Sequence, residues 1–146
     1  MIKIIIWIII LAICHALEEL EIEGRTKHGW ARCLPTKRFN NKIINILLCK
    51  ELTAYHIFIL LMLLIIFHGC YLFIHFNLKI ECIIIGLLLY YIIFEDFLWF
   101  LLNPCYGIKG FKKGYISWHK RFFCFLPVSY WWGMIIGTGL LILGKR

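Results

Sequence analysis

No Cys-x-x-Cys pair occurs in this chain, although it holds seven cysteines, at positions 14, 33, 49, 70, 82, 105 and 124. A membrane thiol–disulfide enzyme needs a vicinal redox pair, so the sequence argues against that class and the cysteines read as small buried thiols. Internal repeats are absent as well, which leaves an inverted-repeat transporter without support. Low-complexity linkers are lacking, and the stretches between apolar runs are too few to make a soluble module, so residues 1–146 read as a single domain. Bis-histidine haem has no seat either. His68 falls near the middle of its run, whereas His15, His56 and His119 fall at run ends, so no histidine on another helix shares the depth of His68. Acidic residues are few: eight Asp and Glu stand against sixteen Lys and Arg.

What the chain has in abundance is hydrocarbon. Apolar residues make up 62% of it and aromatics 17%, too much for an ordinary soluble domain of this length. A helix needs about 20 apolar residues to cross a bilayer. Ile57–Phe76 and Ile80–Leu102 meet that length, Val128–Leu143 approaches it, and Ile2–Leu17 spans with slight thinning or snorkelling. The expectation is an all-α, polytopic bundle of four transmembrane helices, with spans near 2–19, 55–76, 80–102 and 128–143. Phe39–Glu51 interleaves Ile43, Ile44, Ile46, Leu47 and Leu48 with asparagines and lysines. It is too short to span and suits an amphipathic helix in the interface. Trp30 reads as an interfacial anchor, Gly24 as the stop of the first helix and Thr53 as the N-cap of the second.

Charge sets the orientation. Arg25, Lys27, Arg32, Lys37, Arg38, Lys42 and Lys50 lie in one connecting stretch, and Lys109, Lys112, Lys113, Lys120 and Arg121 in the other. With four spans both stretches share a side, and the positive-inside rule makes them cytoplasmic with both termini outside. The expected location is a cell membrane, multi-pass. Basic residues flanking membrane segments point to anionic headgroups and away from nucleic acid, and Lys112, Lys113, Lys120 and Arg121 are the headgroup-binding candidates. A second reading takes residues 1–16 as a cleaved signal peptide; the basic character of the first loop argues against it.

The Glu95-Asp96 pair is the sharpest feature. It lies past the midpoint of Ile80–Leu102, where an acidic side chain costs about 2.5–3.5 kcal/mol on insertion scales. At about 1.5 Å rise per residue Glu95 sits roughly 10–13 Å inside the cytoplasmic end of its helix. The first run descends to the same side with His15, Glu18 and Glu19, the second starts there with Tyr55 and His56, and His119 lies in the loop beneath. Tyr91, Glu95 and Trp99 are spaced i, i+4, i+8 and share a helix face. Adjacent residues diverge by about 100°, so Glu95 and Asp96 address different neighbours. The polar residues of three helices and a loop thus converge in the inner leaflet.

Three roles are open for this group. Its acids can be structural. His15, Glu19, Glu95 and Asp96, with His56 and His119, can offer mixed nitrogen and oxygen ligands to a divalent metal, although no spacing reproduces a known ligand signature. Or burial lets a carboxyl serve metal-free acid–base chemistry on a lipid or isoprenoid. In that case Glu95, Asp96, His119 and His56 are the catalytic candidates, Glu95 as acid and the histidines as relay, with Glu19 and Glu23 next. Gly133, Gly137 and Thr138 in the fourth span form a small-residue spacing that suits either packing within the chain or a homo-oligomer.

The fragments Glu21-Ile22-Glu23-Gly24, His28-Gly29-Trp30-Ala31, Leu34-Pro35-Thr36, Ala54-Tyr55-His56 and Glu95-Asp96-Phe97-Leu98-Trp99-Phe100 followed by Asn103-Pro104 and Trp118-His119-Lys120 carry a resemblance. In these the chain resembles a group of small, functionally uncharacterised archaeal and bacterial integral membrane proteins. That resemblance covers most of the chain and implies a polytopic membrane fold, without an activity. Over Glu95–Pro104 alone the chain is similar to the acidic-aromatic motif of membrane lycopene cyclase domains, which implies acids that protonate a polyene. Here a long apolar run precedes the motif. The size also resembles that of four-helix glutathione-using membrane enzymes, but their Arg/Asn/Glu pattern is missing. The functional expectation is a small integral membrane protein with a buried acidic site in the cytoplasmic leaflet, binding metal or acting on a lipid or isoprenoid. The alternative is a non-catalytic accessory subunit whose acids fix helix packing.

Overall fold

A computed structural model of the chain describes residues 2–23, 25, 29, 31–40, 52–116, 118–119 and 121–146. The element order is α1 (Ile2–Glu23), β1 (Arg38–Phe39), β2 (Leu52–Thr53), α2 (Ala54–His68) with a 3-10 turn at Gly69–Leu72, α3 (Leu78–Leu102), α4 (Gly107–Gly110), β3 (Phe122–Phe123), β4 (Leu126–Pro127) and α5 (Val128–Lys145).

Local chemistry explains the boundaries. The Thr53 hydroxyl accepts from the His56 N–H and caps α2. Asn77 caps α3 by accepting from Lys79 N and Ile80 N. That helix ends at Asn103, whose position before Pro104 disfavours helical geometry and whose Oδ1 accepts from Cys105 N at 2.9 Å. Pro127 precedes α5, where a missing N–H costs nothing.

α3 is the hub. It buries Ile84, Gly86, Leu88, Tyr91, Glu95, Trp99 and Phe100, and it packs chiefly against α5 and α1. α5 lies antiparallel to it through glycines: a Cβ at Gly86 would come within 3.0 Å of the Gly137 carbonyl, and one at Gly133 within 2.7 Å of Ile93. The Tyr90 hydroxyl meets Thr138 Oγ1 at 2.7 Å across the same seam. α1 runs parallel to α3, and Ile8 and Ala12 join Leu63, Leu88 and Tyr91 in one core cluster. α2 returns antiparallel and is peripheral, with Leu63 its one buried residue. At its far end His68 Nε2 lies 3.0 Å from Glu81 Oε1 of α3.

Two of the described helices, Ala54–Leu72 and Leu78–Leu102, are long and apolar enough to cross a membrane, which fits a mostly helical membrane protein. α1 has the length, but Glu18, Glu19, Glu21 and Glu23 crowd its last turns. α5 is 18 residues long and diluted by four glycines. The second span is shorter than the expected 55–76, because the helix tightens at Gly69 and ends at Leu72. His68 consequently belongs to a helix end, not to its middle.

Residues 103–116, 118 and 119 fold up against the ends of α1 and α3: Ala16, Leu20, Trp99, Phe100, Tyr106, Ile116 and Trp118 form one buried cluster. One expectation changes. Phe39 belongs to a strand, pairing with Leu52 as Arg38 pairs with Thr53, so no helix begins there. The rest of the expected amphipathic helix, 41–51, lies outside the described residues, as do Gly24 and Trp30.

Candidate functional site

A cavity of about 250 Å³ opens where α1, α2 and α3 approach the folded loop. α1 lines it with His15, Glu19 and Glu23; α2 supplies His56 with Ile59, Leu60 and Leu63; α3 adds Tyr91, Ile92, Glu95, Asp96 and Trp99; and Trp118 closes the loop side. The i, i+4, i+8 stripe of α3 is the reason Tyr91, Glu95 and Trp99 share this wall, and all three are buried.

The two adjacent acids do part company. Asp96 Oδ2 accepts from His119 Nε2 at 2.8 Å and also from the Tyr130 hydroxyl, which ties α3 to the loop and to α5. His119 is buried among Phe100, Phe122 and Tyr130, with its ring centroid 5.5 Å from that of Tyr130. Glu95 instead faces the side of α1, in the same wall as His15 and Glu19.

Each histidine of the wall is fixed through one nitrogen. His15 Nδ1 lies 2.9 Å from the Tyr91 hydroxyl, and the two rings stack with planes 9° apart. Its Nε2 is buried and finds no hydrogen-bond partner among the described residues. His56 Nδ1 lies 2.6 Å from Thr53 Oγ1, the oxygen that also caps the helix. Trp99 Nε1–H is likewise buried without a hydrogen-bond partner among the described residues.

The first loop passes over the site. Glu23 accepts from the Ala31 N–H, and Ala31 adopts a left-handed φ of 51°. Arg38 braces that turn by donating to the carbonyls of Ala31 at 2.6 Å and Arg32 at 3.2 Å. Gly29 lies against two indoles: a Cβ there would sit 2.5 Å from Trp118 and 2.8 Å from Trp99. The floor is aromatic. Phe100 and Trp118 stack at 5.4 Å and 17°, and Trp99 meets Trp118 edge to face at 5.7 Å. Burial pushes the Tyr106 phenol in this cluster above its ordinary value, and the neighbouring Tyr115, Cys105 and Glu23 add to the shift.

Of the residues singled out from sequence, His15, Glu19, Glu23, His56, Glu95 and Asp96 line one cavity, and His119 reaches it through Asp96. The metal-ligand set is not assembled: among the described residues no three His, Cys, Asp or Glu side chains gather closely enough to hold an ion. Geometry accounts for this, because Asp96 turns to His119 and Tyr130 while His15 engages Tyr91. Lys112, Lys113 and Arg121 are exposed, with Lys112 lying over the Tyr115 ring at 5.7 Å; Lys120 is outside the described residues. The small-residue face of α5, with Gly133, Gly137 and Thr138, packs on α3 inside the chain.

Sequence reasoning missed Tyr130 and Glu81. Tyr130 looks like one more aromatic beside Trp131 and Trp132, and only the packing of α5 brings it to Asp96. Glu81 could have been found, since it is an acid in the first turn of the third apolar run and the short turn before it returns α2 alongside. The chain matches no protein-family model, and no curated protein or solved structure shows significant similarity to it.

Proposed function

We propose that this is a four-span membrane protein whose cavity takes the polar end of a lipid or isoprenoid and acts on it by metal-free acid–base chemistry. One observation carries the reading: a single cavity receives carboxylates and imidazoles from α1, α2 and α3 together with a hydrocarbon wall from α2. Glu95 is the proton donor and His56 its relay. Asp96, His119 and Tyr130 hold the floor beneath it, and the exposed Lys112, Lys113 and Arg121 meet a charged group outside the cavity.

Four spans are supported by the outward faces. Ile6, Trp7, Ile10 and Leu17 of α1 and Trp132, Ile135, Ile136 and Leu143 of α5 are all exposed, a pattern costly in water and natural in lipid. The four long helices also alternate in direction along the chain. The basic loops then face the cytoplasm and both termini the outside.

The test is the lipid retained by purified protein, identified by mass spectrometry, in wild type and Glu95→Gln. Retention of one amphiphile by wild type and its loss in a folded Glu95→Gln variant supports the reading. Equal retention by both, with cellular function intact in Glu95→Gln, defeats it. A structural accessory role is the second reading, favoured by Asp96, whose contacts to His119 and Tyr130 join three elements within the chain.

A further inference from the structure

We infer that His68 and Glu81 hold one proton between them, and that this proton latches α2 to α3 and keeps the α2 side of the cavity closed. The latch stands apart from the chemistry proposed above, because it lies at the far end of α2 and does not depend on what the cavity takes. Hydrogen-bond geometry fixes the proton count. His68 Nδ1 lies 2.7 Å from the Leu64 carbonyl oxygen, which only accepts, so Nδ1 carries a hydrogen and donates it. Nε2 lies 3.0 Å from Glu81 Oε1. A neutral imidazole with its hydrogen on Nδ1 presents a lone pair at Nε2, and an ionised carboxylate presents lone pairs as well. The contact therefore forms only with a further proton between them. Imidazolium against carboxylate satisfies it, and so does neutral imidazole against carboxylic acid. Either form holds one proton more than neutral histidine beside ionised glutamate.

The surroundings leave that proton to decide the contact. Tyr71 faces the pair from the 3-10 turn, its ring centroid 6.2 Å from that of His68, and donates its hydroxyl to the Asn77 carbonyl at 3.2 Å. Lys3 of α1, Lys79 of α3 and Lys145 of α5 sit at the same end of the bundle. Among the described residues none of them forms an ion pair with Glu81, and His75 in the connection is exposed. The side chains of His68 and Glu81 are 29% and 25% exposed, so the proton has a way out.

α2 is the element that such a latch governs. Leu63 is its one buried residue, while Phe58, Leu61, Ile65 and Ile66 are exposed. Its near end is fixed to the first loop: Ala54 N donates to the Lys37 carbonyl at 2.8 Å and Tyr55 N to Thr36 Oγ1 at 3.0 Å. At the far end residues 73–77 would reach about 17 Å when extended, so the connection alone does not hold α2 against α3. Between these ends His56, Ile59, Leu60 and Leu63 make the α2 wall of the cavity. Loss of the proton sets a lone pair against a carboxylate where the dielectric is low, and α2 swings away about its near end to open the wall to lipid.

The experiment places the full-length protein in phosphatidylcholine nanodiscs, with and without bromine on the acyl chains. Tryptophan quenching is followed from about pH 5 to about pH 9, on both sides of the ordinary histidine value of about 6.5. Trp7 and Trp132 are exposed and are quenched throughout, whereas Trp99 and Trp118 line the cavity and are quenched when its wall opens. A one-proton latch lowers the closed-to-open ratio about tenfold per pH unit once it begins to release, so wild-type quenching should rise in a single step with pH. His68→Gln and Glu81→Gln each put an amide N–H across the same gap at any pH, and both variants should stay closed over the whole range. The wild-type thermal midpoint should fall across the step and stay level in both variants. Level wild-type quenching overturns the latch, and so does a folded glutamine variant that reproduces the wild-type step. If neither variant folds, the wild-type midpoint decides, and one that does not fall across the step overturns the latch. Failure to retain an amphiphile defeats the proposed chemistry and leaves the latch standing, while quenching without pH dependence does the reverse.

Discussion

His119 Nε2 lies 2.8 Å from Asp96 Oδ2, and both groups are withdrawn from solvent at the junction of α3, the second loop and α5. Charge-assisted hydrogen bonds contribute about 1.5–3 kcal/mol, more than neutral ones, so this contact and the Tyr130 hydroxyl on the same oxygen hold the loop to the bundle. Asp96→Asn should lower stability by roughly that amount, and Tyr130→Phe by about 1 kcal/mol. Because both act at one carboxylate, the double variant should cost less than the sum. Unfolding in mixed micelles measures all three; wild-type stability in Asp96→Asn would dismiss the network as a clasp.

Gly29→Ala should open the cover over the site. Its Cβ would meet the rigid ends of two indoles, at 2.5 Å from Trp118 and 2.8 Å from Trp99, and overpacking of that kind costs about 1–3 kcal/mol. The expected result is a lower thermal midpoint with changed tryptophan fluorescence. An unchanged spectrum and midpoint would mean that the loop does not rest on the indoles.

Phe125→Gly should stabilise the chain. Cys124 and Phe125 form the two-residue turn of the β3–β4 hairpin with φ of 45° and 69°, a geometry that favours Asn-Gly. Phe125 is 92% exposed, so its ring gives up little packing, and relief of the left-handed strain should add about 1 kcal/mol. A thermal midpoint at or below wild type would show that the ring is anchored in the interface.

Tyr106 makes the alkaline limit of stability testable. Burial raises its phenol in the folded state, so the stability tied to the neutral form is intact below the ordinary tyrosine value of about 10 and falls as pH rises beyond it. Tyr106→Phe should flatten the loss of stability above pH 10, in unfolding measured from about pH 8 to 11. A slope identical to wild type would remove Tyr106 from the alkaline transition.

The polar convergence was legible because depth follows from run boundaries and rise per residue. Glu95, His15, Glu19 and His56 needed no side-chain geometry to be placed on one side, and the Tyr91–Glu95–Trp99 stripe needed only helical periodicity. The Thr53 cap and the Asn103 stop were legible for a similar reason, since each depends on residues next to it in the chain. Loop conformation was not. Residues 103–119 are amphipathic in composition at any orientation, and their aromatics found a core under α3 that no local pattern announces.

By itself, the sequence determined the long apolar helices, the Thr53 cap, the Asn103 stop and the side of the bundle on which acids and imidazoles meet, because hydrocarbon content, capping chemistry and helical rise act over a few residues. Tertiary structure alone decided which partner each of the two neighbouring acids takes. It also decided that the glycines of α5 face α3 and that Gly29 fits against two indoles. Those outcomes depend on close packing between segments far apart in the chain, where a few tenths of an ångström separate a contact from a clash.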